Sequence, residues 1–218
     1  MKPNQQKKQT NNTKHVAPKQ NSIGIEQHIK QKTYYFLFIP IAFILLFVYR
    51  DYLSFHNLFI FKDIGSDTYT YSYPHYVCIA DYIRHIGIPG WSFQQGLGQN
   101  LYPITLGDPF ALLLYFSGRD AIPYLIIITE IIKILLIAYL SFLLFKKNGL
   151  SRYVSIIGAC MVSFSGFVIL GGTWYLFSIE ALYFVLFLYG LEHILQNKSL
   201  LIFPLSVFLI AALQPVDL

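Results

Sequence analysis

From residue 34 onward, long apolar runs alternate with short polar or basic clusters. A bilayer core about 30 Å thick takes roughly 20 helical residues. The pattern therefore predicts spans at about 34–53, 122–145, 153–171, 175–191 and 200–213. Tyr34, Tyr35, Tyr49 and Tyr52 sit at the ends of the first, where aromatic rings favour the membrane interfaces. Pro40 is tolerable in a packed membrane helix. The second opens with Asp120 as N-cap and Pro123 in its first turn, and closes on Lys146 and Lys147. Little more than Gly172 and Thr173 joins the third to the fourth, which predicts a tight hairpin. The polar stretch 192–198 separates the fourth from the fifth. An odd number of spans with so abrupt an end at residues 214–218 makes the chain read as truncated.

The stretch from 54 to 120 is far longer than a connection needs. Tyr76, Ile79, Ala80, Ile83 and Ile86 recur at helical spacing, with Asp81, Arg84 and His85 on the other side. Pro74 suits the opening turn, and Gly87 and Pro89 mark the stop. This helix is too short to span and amphipathic enough to lie on a membrane surface. A second short helix is predicted from Asp108-Pro109 to Ser117-Gly118, interfacial or re-entrant. The fold class is thus an all-α polytopic membrane bundle whose long first loop carries two short interfacial helices.

Composition supports this reading: 55% hydrophobic residues against 12% charged lie outside the range of ordinary globular domains. The charge is unevenly placed. Residues 1–33 hold seven lysines and one glutamate, and read as a disordered basic tail ahead of a membrane domain at 34–218. The tail lacks a folded basic face or an arginine-aromatic pattern, which argues against nucleic-acid binding. It suits contact with anionic lipid headgroups. Basic residues in the short loops (Lys146, Lys147, Arg152, Lys198) join the tail in predicting a cytoplasmic N-terminus and an extracytoplasmic segment 54–120. Cys78 and Cys160 have no metal-binding partner at useful spacing, and their places in a loop and a span argue against a disulfide. Glu130 and Lys133, three apart in the second span, share a face. Intramembrane charges mark functional positions or buried ion pairs, and Glu180 in the fourth span raises the same question.

Candidate chemistry lies in the loop. Residues 91–100 are rich in glycine, amides and aromatics. Trp91 could stack on a sugar ring while Gln95 and Asn100 bond its hydroxyls; the same residues could instead form a glycine-rich turn anchored by Trp91 at the headgroups. Asp67, with Asp63 nearby, could act as a general base on a hydroxyl or bind a divalent cation. A solvated acidic turn is the plainer alternative. No phosphate-binding glycine loop, zinc motif or serine-histidine triad spacing occurs in the chain.

The order Asp67, Tyr73-Pro74, Gly87-Ile88-Pro89-Gly90-Trp91, Gly96-Leu97-Gly98-Gln99-Asn100, Gly107-Asp108-Pro109-Phe110 resembles the N-terminal region of the bacterial YfhO family. That resemblance implies a GT-C type glycosyltransferase of the bacterial cell membrane. Such an enzyme takes a sugar from a polyprenyl-phosphate carrier and transfers it to a cell-envelope glycopolymer such as lipoteichoic acid. It also implies an essential loop acid, matched best by Asp67, with Asp63 in reserve and Asp108 as a possible second carboxylate. The leaving lipid phosphate would be met by Arg84, by Arg119 or by a divalent cation. Family members have about a dozen spans, more than this chain provides. A transporter or lipid flippase, or a non-catalytic membrane assembly protein, are the competing readings.

Overall fold

The computed structural model describes residues 36–62, 67–88, 90–94, 96–101 and 108–213. Asp63 and Gln95 lie outside the described residues. Helix α1, Phe36–Val48, buries a single stripe, Leu37, Ile41 and Leu45, at the four-residue spacing of one helix face. Its other faces leave Phe36, Phe43 and Phe47 exposed. The helix breaks at Tyr49, and one further turn, α2 (Arg50–Leu53), follows. A π-turn at Thr68–Ser72 runs into α3, Tyr73–His85, with Pro74 in its first turn, where no intrahelical N–H is needed.

Two-residue strands β1 (Trp91–Ser92) and β2 (Gln99–Asn100) pair antiparallel, the only sheet among the described residues. Helix α4, Ala111–Ser117, precedes α5, Ile122–Lys147. Asp120 does not cap α5: Ala121 holds the N-cap position, no side chain caps it, and Pro123 lies in the first turn. With one of its first N–H donors already absent at Pro123, the helix needs less from a capping side chain.

The third apolar run is not continuous. Helix α6, Arg152–Ser163, ends at Phe164, and α7, Gly166–Gly171, starts after Ser165, whose backbone is extended. A 3-10 turn, Gly172–Trp174, leads to α8, Phe177–Leu195, and then to α9, Ile202–Leu213. The expected end of the fourth span at 191 is overrun by four residues, and Gln196 caps the extension by donating to Glu192 Oε1 at 2.6 Å.

Three stretches are long and apolar enough to cross a membrane: Ile122–Lys147, Arg152–Trp174 and Phe177–Leu195. Within the described residues, Phe36–Val48 and Ile202–Ala212 remain shorter apolar helices, below 18 residues.

Helix α5 is the central pillar. It packs against both α6 and α8, and α8 packs against α9. Its buried positions include Ile126, Ile127, Ile134, Ile137 and Ala138. On the neighbouring α6, Ser155, Ala159 and Ser163 are fully buried. Small side chains of this kind let two helices approach closely.

Candidate functional site

Lys133 lies three turns into α5 and is 1% exposed. Its Nζ donates to Asp108 Oδ2 at 2.7 Å, to Glu130 Oε1 at 2.8 Å and to the Tyr175 carbonyl at 3.1 Å. Those three bonds use every proton of the ammonium group. They join three distant parts of the chain: the segment before α4, the middle of α5, and the elbow before α8. Asp108 has both oxygens engaged, because Oδ1 accepts the Phe110 N–H at 2.8 Å. Glu130 Oε2 faces Gly172, where an added Cβ would stand 3.4 Å away.

This position has a topological consequence. Lys133 is eleven residues beyond Ile122, about 16 Å along the helix. A salt bridge at that depth draws Asp108 down beside α5, and α4 climbs back from it to the start of α5. The segment thus folds back along α5.

Aromatic rings close over the ion group. Tyr76 stacks on Tyr175 with centroids 5.9 Å apart and packs against Tyr115 at the same distance. Phe59 lies 6.2 Å from Tyr175 on another side. Burial, and then the negative charge of Asp108, push the phenols of Tyr76 and Tyr115 well above their usual range. Both rings therefore stay neutral hydroxyls. Tyr175 adopts φ +65°, left-handed backbone that a bulky residue takes only when its surroundings enforce it. Here its hydroxyl donates to the Phe59 carbonyl while its own carbonyl accepts from Lys133. Next to it, Thr68 donates to the Thr173 carbonyl at 3.1 Å, tying the start of the π-turn to the same elbow.

Asp67, Trp91 and Asn100, also singled out from sequence, are exposed. Asp67 is exposed at the N-cap of the π-turn, immediately before the buried Thr68. Trp91 and Asn100 are brought opposite each other in the β1–β2 register. The Trp91 ring lies against Gly98: a Cβ there would stand 2.6 Å from Nε1, and the backbone at φ +112° independently favours glycine. Trp91 is 58% exposed, so its outer face is available as a stacking platform. The hairpin is tethered to α3 by Tyr82, which donates to the Trp91 carbonyl, and by Cys78, whose thiol donates to Gln94, both at 3.5 Å.

Arg119 faces Asp81 at 3.8 Å across a cavity of about 400 Å³ also lined by Tyr73, Cys78 and Gln94. Burial pushes the Cys78 thiol up in this wall. Arg84 is separate, lining a second cavity of about 330 Å³ with Phe116 and Gly118. Asp108 thus differs from Asp67 in environment: one is half-buried and bonded at both oxygens, the other open to solvent.

No three of the His, Cys, Asp and Glu side chains among the described residues are grouped to hold a metal ion. Asp108 and Glu130 come together around Lys133, which takes the place a cation would occupy. Sequence reasoning paired Glu130 with Lys133 but missed Tyr175 and the reach of Asp108. The spacing on one helix reveals the first contact, whereas the others depend on how the chain returns.

Glu180 is half-buried in the wall of a cavity of about 530 Å³ formed by Val162, Ser165, Phe167, Tyr183 and Ile210 among others. This cavity lies beside the interruption between α6 and α7, so the extended backbone at Ser165 helps to shape it.

No curated protein and no solved structure matches the chain. Residues 35–212, most of its length, match the family described as bacterial membrane protein YfhO. With three long apolar helices beside that match, this multi-pass membrane chain belongs to the YfhO family.

Proposed function

We propose that this chain forms the N-terminal part of a GT-C type glycosyltransferase. It moves a sugar from a polyprenyl-phosphate carrier to a cell-envelope acceptor, such as lipoteichoic acid, on the outer face of the membrane. The observation that carries this reading is the segment that folds back along α5. Its half-buried Asp108 is fixed on Lys133, whereas Asp67, Trp91 and Asn100 are exposed. An acceptor from solvent and a lipid donor from the bilayer can meet at such a place.

In this mechanism Asp67 accepts the proton of the acceptor hydroxyl. The hydroxyl oxygen attacks the anomeric carbon, the bond from that carbon to the phosphate oxygen breaks, and the electron pair leaves with the lipid phosphate. Attack opposite the leaving group inverts the anomeric centre. Trp91 offers its exposed face to a sugar ring, with Asn100 opposite it. Arg119, which faces Asp81 in the polar cavity beside α3, meets the phosphate. Asp108 is a support, because both its oxygens are already bonded. Asp63 and Gln95 keep the reserve-base and hydroxyl-binding roles that their places in the sequence suggest.

General-base catalysis contributes about 10²–10⁴-fold to rate. Asp67→Asn in the natural protein therefore lowers transfer from a polyprenyl-phosphate sugar by about 100-fold or more at unchanged membrane abundance. Undiminished transfer rules out Asp67 as base.

A second reading, a transporter or lipid flippase, draws on the interrupted third span and on Glu180 in its cavity. It is selected if Glu180→Gln stops transbilayer movement of a lipid-linked sugar while Asp67→Asn has no effect.

A further inference from the structure

Helix α4 is apolar on both sides. Ala111, Leu114 and Tyr115 are buried, while Leu112, Leu113 and Phe116 form an outward face at i, i+1, i+4. Phe116 is 74% exposed. Depth decides what this face meets. Asp108, just before α4, is bonded to Lys133 three turns inside α5, and only residues 118–121 separate the other end of α4 from Ile122. A four-residue link reaches at most about 14 Å. The helix therefore runs alongside the first turns of α5, a stretch long and apolar enough to cross a membrane, where an outward apolar face suits acyl chains.

At the C-terminal end of α4 stands Arg84. Its Nη1 lies 3.7 Å from where a Cβ on Gly118 would be, over the cavity that Phe116 and Ser117 also line. Arg84 is exposed and makes no ion pair among the described residues. His85 and Arg119 are close in sequence to the two elements that form this corner. A guanidinium above an apolar face matches a phospholipid: phosphate at the fork, acyl chain below.

We propose that Arg84, Gly118 and the Leu112/Leu113/Phe116 face of α4 bind a resident anionic phospholipid, which holds the folded-back segment at the membrane surface. This site is separate from the base at Asp67, so it stands whether or not the transfer reaction does.

The test is native mass spectrometry of the detergent-purified protein titrated with phosphatidylglycerol, phosphatidylcholine or undecaprenyl phosphate. The wild type retains phosphatidylglycerol about tenfold more tightly than phosphatidylcholine, and Arg84→Gln removes that preference. Arg84→Lys restores part of it. Arg152→Gln, at the start of α6, and Asp67→Asn both leave it intact. Equal binding of the two phospholipids by the wild type overturns the proposal, as does an unchanged preference in a folded Arg84→Gln protein. An Arg84-dependent preference for undecaprenyl phosphate over phosphatidylglycerol also overturns it, by assigning the site to the donor.

Discussion

Lys133 stands between two carboxylates with only 1% of its side chain exposed, and that makes each partner depend on the others. Removing one member of a buried ion group leaves the rest uncompensated, at a cost of about 3–5 kcal/mol. Lys133→Met abandons Asp108 and Glu130 close together and is the harshest single change. The triple variant Lys133→Met/Glu130→Gln/Asp108→Asn removes the charges together and is expected to be more stable than Lys133→Met alone. Thermal unfolding in detergent measures both. Additive losses, with the triple variant worst, would show that the three groups are not coupled. How much of this was legible follows from geometry. Glu130 and Lys133 were a pair on sight, because three residues make less than one helical turn. Asp108 lies 25 positions away from Lys133, and its carboxylate was read as free for chemistry. Only the path of the segment back along α5 shows that it is spoken for. Tyr175 was hidden for a related reason: nothing in its neighbourhood in sequence announces a left-handed tyrosine held at its hydroxyl and at its carbonyl.

At the scale of elements, the apolar runs located every long helix, since burial in hydrocarbon and helix periodicity write directly into the sequence. They did not reveal where a run is interrupted. Phe164 and Ser165 continue the apolar pattern closely enough that the break between α6 and α7 leaves no hydropathy signal. The overrun of α8 to Leu195 was equally silent, because a polar residue such as Glu192 sits comfortably in a helix that ends at the membrane edge. Close packing also depends on single positions. At Gly190 an added Cβ would meet the backbone of Phe203 at 2.8 Å, and backbone cannot swing aside as a side-chain tip can. Gly190→Leu is therefore expected to force α9 off α8, at about 1–3 kcal/mol. The rings of Phe187 and Phe203 sit 5.0 Å apart, so cysteines placed at both report this contact by oxidative cross-linking. Cross-linking falls in the Gly190→Leu background. It persists in Gly166→Ala, where nothing lies within 4 Å of the added carbon. Full cross-linking with Gly190→Leu would show that the two helices do not rely on that approach.

For the whole molecule, the two ends of the bundle differ in charge, and the fold makes this clearer than the sequence does. Thr68 bonded to Thr173 and Tyr175 bonded to Phe59 collect the chain after α2 and the α7–α8 elbow at one end. Gln196, donating to the Lys147 carbonyl at 3.2 Å, joins the ends of α5 and α8 at the other. That second end holds Lys146, Lys147, Arg152 and Lys198 against Glu192, whereas at the first Asp51, Asp67, Asp81 and Asp120 balance Arg50, Lys62, Arg84 and Arg119. Basic residues in short loops remain on the cytoplasmic side during insertion, with little contribution from acidic ones. The proposed orientation thus places the folded-back segment outside, where an envelope acceptor is found. Asn57 and Asn148 are exposed at the two ends and suit single-cysteine reporters in a background lacking Cys78 and Cys160. With a membrane-impermeant maleimide on intact cells, Asn57→Cys is expected to label and Asn148→Cys to label only after permeabilisation. The reverse pattern would put Asp67 and Trp91 in the cytoplasm, and a glycosyltransferase working on an external polymer could not be built on them. Labelling of both without permeabilisation would mean that α5 does not cross. A buried lysine three turns into that helix, satisfied entirely by protein groups, is what a crossing requires.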